Sequence, residues 1–414
     1  MNPPKWNGRR TIVVLAALAF AAKVVLALYT FGCFDALIWQ RDLEALRAHG
    51  VPALYRGGAT YYSVEDRLLI SQPFIHPPFM IHVLHFWDSL SKLTRLPMQF
   101  WMRLCCAVAD VASLLLLAGI LRRARGDKIL ERLGLVAISP TSILISGFHG
   151  NTDPIMMAFV VAAIYSLERF RTPWVAGAAL GVALNVKLAA LIFVPAIGLS
   201  VPGIRRKFEF TGAAAVTFLV GSVPYLFQEP GLILSRMGGY RSFFGWWGLG
   251  RLCVTLAHDG GLRAACAEYS TYGRYLVMLL IAATAIGVAW RRKSLPLLLQ
   301  CGLAAFTFFA ITPGFGVQYL AWLVPFTALL PRGRAVIYHL VSGAFLFAYY
   351  NRGAQGLPWY FANEVEHPVW YGHVVFLGLL CWLVICAYLV FLARQASNQG
   401  AGVGSPTEDS PSRP

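Results

Sequence analysis

The chain alternates long apolar runs with short clusters of arginine and lysine, and that alternation predicts its architecture. A membrane-spanning helix needs roughly 20 apolar residues; the first such run, about 11–30, follows Lys5, Arg9 and Arg10. Basic clusters stay on the cytoplasmic side, so this helix runs outward and the segment of about 31–98 becomes an outer loop. The next cluster, Arg122, Arg123, Arg125 and Lys128, belongs inside. FMIHVLHFW (Phe79–Trp87) is too short to span, holds two histidines and would invert the topology if it crossed, so it reads as an interfacial helix. Further spans are expected at about 99–121, 132–148, 154–168, 173–186, 188–203 and 209–228, before a second outer loop at about 229–271. Two more flank Arg291, Arg292 and Lys293; a tenth returns to Arg332 and Arg334, an eleventh ends near Tyr350, and a twelfth ends at Arg394.

The prediction is an all-α polytopic membrane protein of about 12 transmembrane helices, with a long first outer loop carrying interfacial helices. Residues 1–394 form one domain, in which helices of 11–203 precede those of 204–394. The Ser-, Gly- and Pro-rich tail, 395–414, is expected to be a disordered cytoplasmic extension.

Composition agrees: 57% of the 414 residues are hydrophobic and 13% charged, and mean hydropathy is +0.60, outside the range of soluble globular chains. The net charge of +16 raises the question of nucleic acid. A nucleic-acid binder concentrates its cations on one soluble face, whereas these punctuate apolar spans, so they read as topology signals for a chain in a lipid bilayer. The basic start followed by an apolar run resembles a signal peptide, but no small-residue cleavage site precedes Asp35, which favours a retained helix. No CxxC occurs among the eight cysteines, and most sit in apolar spans as packing residues. Cys253 and Cys266 share a polar outer loop, where a disulfide and two free thiols are both open. At membrane depth, Lys23 either snorkels or pairs with Asp110. No internal repeat is visible, which argues against a secondary transporter.

Ionisable and polar groups gather at the outer ends of the spans: Asp35, His76, His149, Asn151, Asp153, Lys187, Arg236, Arg241, Arg251, Gln318 and Tyr319. Glycosyl transfer from a lipid phosphate needs a carboxylate to take the acceptor proton and cations to hold the departing phosphate. Asp35, at the headgroup level after the first helix, suits the first role, although a helix cap or loop charge has the same sequence appearance. GGYRSFFGWWGLGR (Gly238–Arg251) offers arginines for phosphate and aromatics for a sugar or a polyprenyl chain; an interfacial aromatic belt is the plainer alternative. His82 and His85 stand one helical turn apart without a carboxylate partner in register, a poor metal site.

The combination resembles the GT-C superfamily of polyprenyl-phosphate-sugar-dependent membrane glycosyltransferases. DALIWQRDLEAL from Asp35 is similar to that superfamily's acidic first-loop motif, and IHPPF (Ile75–Phe79) to its YPP-type motif, with His76 in place of an aromatic. SPTSILISGFHGNTDPIMM (Ser139–Met157), ALNVKLAALIFVPA (Ala183–Ala196) and ILSRMGGYRSFFGWWGLGR (Ile233–Arg251) resemble segments of dolichyl-phosphate-glucose glucosyltransferases. GNTD (Gly150–Asp153) and GVQYLAWLVPF (Gly316–Phe326) resemble segments of the first GPI mannosyltransferase. The resemblance covers roughly residues 11–330. It departs from the family in two places: FHGN replaces an HFQYN-type cluster, and no second acid directly follows Asp35.

The resemblance implies an inverting hexosyltransferase, specific for mannose or glucose, that works without metal or other cofactor. It would use a polyprenyl-phosphate-linked donor and a glycan or glycolipid acceptor at the outer face, in a bacterial inner membrane. Asp35 would be the base and Arg236, Arg241 and Arg251 the phosphate clamp. His76, His149, Asn151 and Asp153 would contact sugar and acceptor, with Lys187, Gln318 and Tyr319 lining the site. A lipid-linked sugar flippase or other transporter without transferase chemistry is the alternative.

Overall fold

A computed structural model describes residues 8–57, 59–63, 68–122, 127–239, 242–291, 295–367, 369–370 and 372–401. The chain opens with α1 (Gly8–Tyr29), strand β1 (Gly32–Cys33) and α2 (Phe34–Arg56), which is interrupted at Gly50. A hairpin of β2 (Ala59–Ser63) and β3 (Leu68–Gln72) leads to α3 (Phe79–Thr94) and α4 (Met98–Leu121). Next come α5 (Asp127–Ala137), α6 (Pro140–Leu144), one π-helical turn (Ile145–His149), α7 (Asp153–Tyr165) and α8 (Pro173–Val186). A 3-10 turn (Leu188–Phe193) continues into α9 (Val194–Ser200), followed by α10 (Ile204–Leu226), α11 (Pro230–Gly239), β4 (Phe243–Phe244) and α12 (Gly248–Leu256). The remainder is α13 (Gly260–Arg291), α14 (Leu297–Ile311), β5 (Gly314–Phe315), two 3-10 turns (Val317–Trp322 and Val324–Leu329), α15 (Arg332–Gly353), β6 (Phe361–Ala362) and α16 (Gly372–Ala401).

Each expected span has a helical counterpart among the described residues. Among the described residues, five helices are long and apolar enough to cross a membrane: Arg10–Tyr29, Met98–Leu121, Lys128–His149, Gly260–Trp290 and Gly372–Asn398. Shorter apolar helices occupy 173–186, 188–200, 297–311 and 317–329. Many apolar side chains on α1, α10 and α13 face outward, Val14, Leu219 and Leu279 among them, as expected where lipid is the solvent. Phe79–Trp87 forms the first half of α3, which buries Met80, Ile81, Leu84 and Trp87 and exposes Phe86. The last helix continues past Arg394 to Ala401, because the polar residues after Arg394 include no proline and no glycine before Gly400. The basic residues Arg123, Arg125, Arg292 and Lys293 and the tail from 402 onward lie outside the described residues.

The buried charges of α1 and α4 are paired. Lys23 donates to Asp110 at 2.6 Å and to Ser142, while the Ser142 and Ser146 hydroxyls donate to the same Asp110 oxygen. That network satisfies both charges expected at membrane depth. Cys253 and Cys266 form a disulfide, Cα atoms 5.7 Å apart, tying α12 to the start of α13.

The short strands position the site. β1 runs parallel to β6, Gly32 beside Phe361 and Cys33 beside Ala362, so the last inter-helix segment lies against the residues that precede Asp35. Antiparallel β4 and β5 bring Phe243–Phe244 against Gly314–Phe315, just ahead of Gln318.

Candidate active site

Asp35 occupies the first turn of α2, where unpaired backbone N–H groups favour a negative charge. One carboxylate oxygen accepts from His149 Nε2 at 3.0 Å and from the Asn151 side-chain amide. The backbone N–H of Thr152 donates to Asn151 Oδ1 at 2.6 Å, which turns the amide nitrogen toward Asp35. Behind the imidazole, the Tyr350 hydroxyl stands 2.9 Å from His149 Nδ1. An Nε2–H donated to the carboxylate leaves Nδ1 as the acceptor for the tyrosine, so Tyr350 selects that tautomer. Burial pushes the Asp35 carboxyl up, but the hydrogen bonds from His149 and Asn151 and the Lys187 charge outweigh it, and the group lies below its ordinary 3.8.

Two glycines allow the segments carrying these residues to touch. Gly32 has φ +112°, and a Cβ there would stand 2.7 Å from the Phe148 carbonyl oxygen. Gly150 has φ +84° and faces Ala36 and Met102. The junction is tied further by thiols, since Cys33 donates to the His149 carbonyl at 2.9 Å and Cys106 to that of Asn151 at 3.0 Å. Arg103 on α4 is fully buried. Its guanidinium donates to the carbonyls of Ala27 (3.0 Å) and Thr30 (2.7 Å) at the C-terminal end of α1, and reaches those of Gly147 and Phe148 at 3.5 Å. Helix C-terminal carbonyls replace a counter-ion here, and one side chain fixes both the approach to Asp35 and the turn that ends at His149.

Lys187 stands in extended backbone between α8 and the 3-10 turn. Its ammonium donates to Asp153 at 2.8 and 3.0 Å and lies 4.8 Å from the Tyr319 ring centroid. Asp153 is completely buried and also accepts from Trp322 Nε1 at 2.5 Å, while Tyr319 stacks on Trp322. Asp153 and Tyr319 therefore hold Lys187 from behind rather than lining open space.

Asp35, His76, His149, Asn151, Lys187 and Gln318 all face one cavity of about 280 Å³. His76 reaches it from the segment before α3, its ring 4.6 Å from Trp39. Burial and the nearby Lys187 push His76 down to about 3, so it is neutral. The wall contributed by β4 and the following turn is aromatic: Phe243 stacks on Trp246 at 4.2 Å, and Trp246 on Trp370 at 5.1 Å. Arg236 is elsewhere, its guanidinium on the Tyr55 and Arg56 carbonyls at 3.1 and 3.4 Å, closing the end of α2. Arg251 does not line the cavity. Arg241 lies outside the described residues.

Several contributors were not singled out by sequence. Glu364, Asp42 and Tyr349 line the cavity, and Tyr350 and Arg103 stand behind it. Glu364 is pushed up to about 7, first by burial and then by the Asp35 charge. The only sequence signal for it is the charged run Asn363–His367 between α15 and α16.

The sequence model of glycosyltransferase family 87 matches residues 74–313, more than half of the chain. No curated protein matches. Two crystal structures of ArnT from Cupriavidus metallidurans are similar in fold. The one bound to undecaprenyl phosphate is 16% identical with a TM-score of 0.52, covering 94% of this chain and 74% of that one. The apo state is 17% identical with a TM-score of 0.52, covering 94% and 73%. The chain belongs to glycosyltransferase family 87, and its fold is of the GT-C kind that its motifs resemble.

Proposed function

We propose that the protein transfers mannose or glucose, with inversion, from a polyprenyl phosphate to a lipid-linked or cell-envelope glycan acceptor. The observation that carries this reading is a carboxylate kept ionised by His149 and Asn151 in a cavity shared with Lys187. In the proposed reaction the acceptor O–H gives its proton to Asp35 as its oxygen bonds to the anomeric carbon. The bond from that carbon to the phosphate oxygen breaks in line, and its electron pair leaves with the phosphate. Phosphate needs no proton to leave, so one base suffices, and a single displacement inverts the anomeric centre.

Lys187 meets the charge growing on the phosphate. Arg241, which precedes Ser242 in the sequence, is proposed as a second cation. The Phe243–Trp246–Trp370 stack would receive the first isoprenoid units. His76, His149, Asn151 and Gln318 supply polar contacts to the sugars, Asp153 and Tyr319 hold Lys187, and Arg236 and Arg251 act by shaping the outer segments. Residues 1–394 would work as one domain in a bacterial inner membrane with the cavity outward. That orientation is supported by the basic clusters at the opposite helix ends and by the disulfide within the 229–271 segment that lines the cavity.

The test is incubation of the purified protein with radiolabelled polyprenyl-phosphate glucose and, separately, mannose, scoring acceptor-dependent release of the carrier. D35N should lower turnover by about 10²–10⁴-fold while remaining folded. A folded, fully active D35N protein refutes the assignment.

A further inference from the structure

Besides Asp35 and Asp42, the cavity holds a third carboxyl group, Glu364, that the proposed reaction does not use. Glu364 follows β6, whose pairing with β1 places it beside the start of α2. Its backbone is fixed: the Asn363 N–H donates to the Gly353 carbonyl at 3.0 Å. The Asn363 side-chain oxygen accepts from the N–H groups of Val365 and Glu366 at 3.2 and 3.3 Å. This turn presents the Glu364 carboxyl to the cavity and to the Phe34 backbone N–H, one residue before Asp35. Its Oε2 is buried with no protein partner. A buried polar atom left unmatched is costly, so a group that supplies the missing hydrogen bond would be bound there.

Lys187 and Glu364 reach the cavity from different elements, Lys187 from the end of α8 and Glu364 from the segment after β6. The phosphate of the donor belongs with Lys187, and Glu364, held beside the start of α2 by the β1–β6 pairing, stands beside the base. We propose that Glu364 is the acceptor-binding carboxyl: it hydrogen-bonds a hydroxyl of a sugar acceptor adjacent to the hydroxyl that Asp35 deprotonates. This rests on the transfer reaction proposed above. The acceptor would then be a polyhydroxylated sugar unit rather than a lone alcohol, because the two carboxyls engage two of its oxygens.

The proton on Glu364 gives the proposal a signature. The titratable groups facing Glu364 are Asp35 on α2, His149 at the π-helical turn, Cys33 on β1, and Tyr349 and Tyr350 on α15. With Asp35 ionised, Glu364 keeps its proton up to about 7 and donates it to the acceptor; above that it becomes a second anion and loses the donor. Alkyl mannoside and alkyl glucoside serve as acceptor probes. The wild-type acceptor KM should rise roughly tenfold between about pH 6 and about pH 8.5, with the donor KM unchanged. E364Q, which keeps a donor at every pH, should flatten that rise, and E364A should raise the acceptor KM about tenfold at pH 6 with little change in the donor KM. A wild-type acceptor KM that does not change across this range overturns the proposal without any variant, as does an E364A effect shared equally by donor and acceptor. If the wild-type protein transfers from no polyprenyl-phosphate hexose, the reaction itself is refuted. The infrared carbonyl band of a protonated carboxyl, lost in E364Q, then remains as a readout: a shift on adding the alkyl glycosides supports the subsite, and a band indifferent to them removes it.

Discussion

Exchanging Lys187 for Met and Asp153 for Asn, singly and together, separates what their pair does for the fold from what Lys187 does for the reaction. The side chains are 11% and 0% exposed, and the ammonium stands 2.8 Å from the nearer carboxylate oxygen. Removing one partner of a buried pair leaves the other charge unpaired and costs about 3–5 kcal/mol, whereas replacing both is roughly neutral. K187M strands a carboxylate whose remaining hydrogen-bond donor is the Trp322 indole, so it should fall at the upper end. D153N should fall at the lower end, because Lys187 also borders the cavity and keeps access to water. The double variant should recover most of the loss, with a coupling energy of at least about 2 kcal/mol. Function should follow a different order: K187M and the double variant lose donor binding alike, while D153N retains part of it. Thermal unfolding in detergent followed by tryptophan fluorescence gives the stability order, and transfer rates at varied donor concentration give the other. A double variant no more stable than K187M refutes the pairing argument; a wild-type donor KM in K187M refutes the role at the phosphate.

Two more outcomes test the surroundings of Asp35. Y350F removes the hydroxyl 2.9 Å from His149 Nδ1; with a net worth of about 1 kcal/mol for that bond, turnover should fall by up to about fivefold and stability by no more than about 1 kcal/mol, and wild-type turnover would show that the tautomer needs no such support. His76 is pushed down to about 3 in the fold from an ordinary 6.5. Between those values the unfolded chain binds a proton that the folded one refuses, so stability falls as pH drops from about 6.5 toward 3, by up to about 1.4 kcal/mol per unit. H76F, which keeps the packing on Trp39, should flatten that slope in a comparison of unfolding midpoints at neutral and acidic pH, and an unaltered slope would assign it to other groups.

The architecture was legible because two rules with independent physical causes agreed. Hydrocarbon thickness sets the length of apolar runs, and the positive-inside bias orients them; together they anticipate α1, α4 and α8 nearly to the residue. Asp35, His76, His149, Asn151, Lys187 and Gln318 converge on one cavity, and each stands where an apolar run ends, a position that hydropathy marks. The Arg236 side chain was not placed by sequence, since whether an arginine meets a phosphate or two carbonyls depends on which helix end lies beside it. Glu364, Tyr350 and Arg103 were invisible for a related reason. Their partners are distant in sequence, and nothing periodic marks the two-residue parallel pairing of β1 with β6.

That pairing also sets an order of assembly. Asp35 emerges from the ribosome early, but Gly32 and Cys33 have no strand partner until Phe361 and Ala362 have been made. Tyr350 and Glu364 arrive with the same late segment. During synthesis the segment after α1 thus lacks part of the cavity wall, which is complete only once the segment after α15 has been made. A chain interrupted before that point carries Asp35 without Tyr350 behind His149 and without Glu364 in the cavity wall, so the proposed site is assembled last.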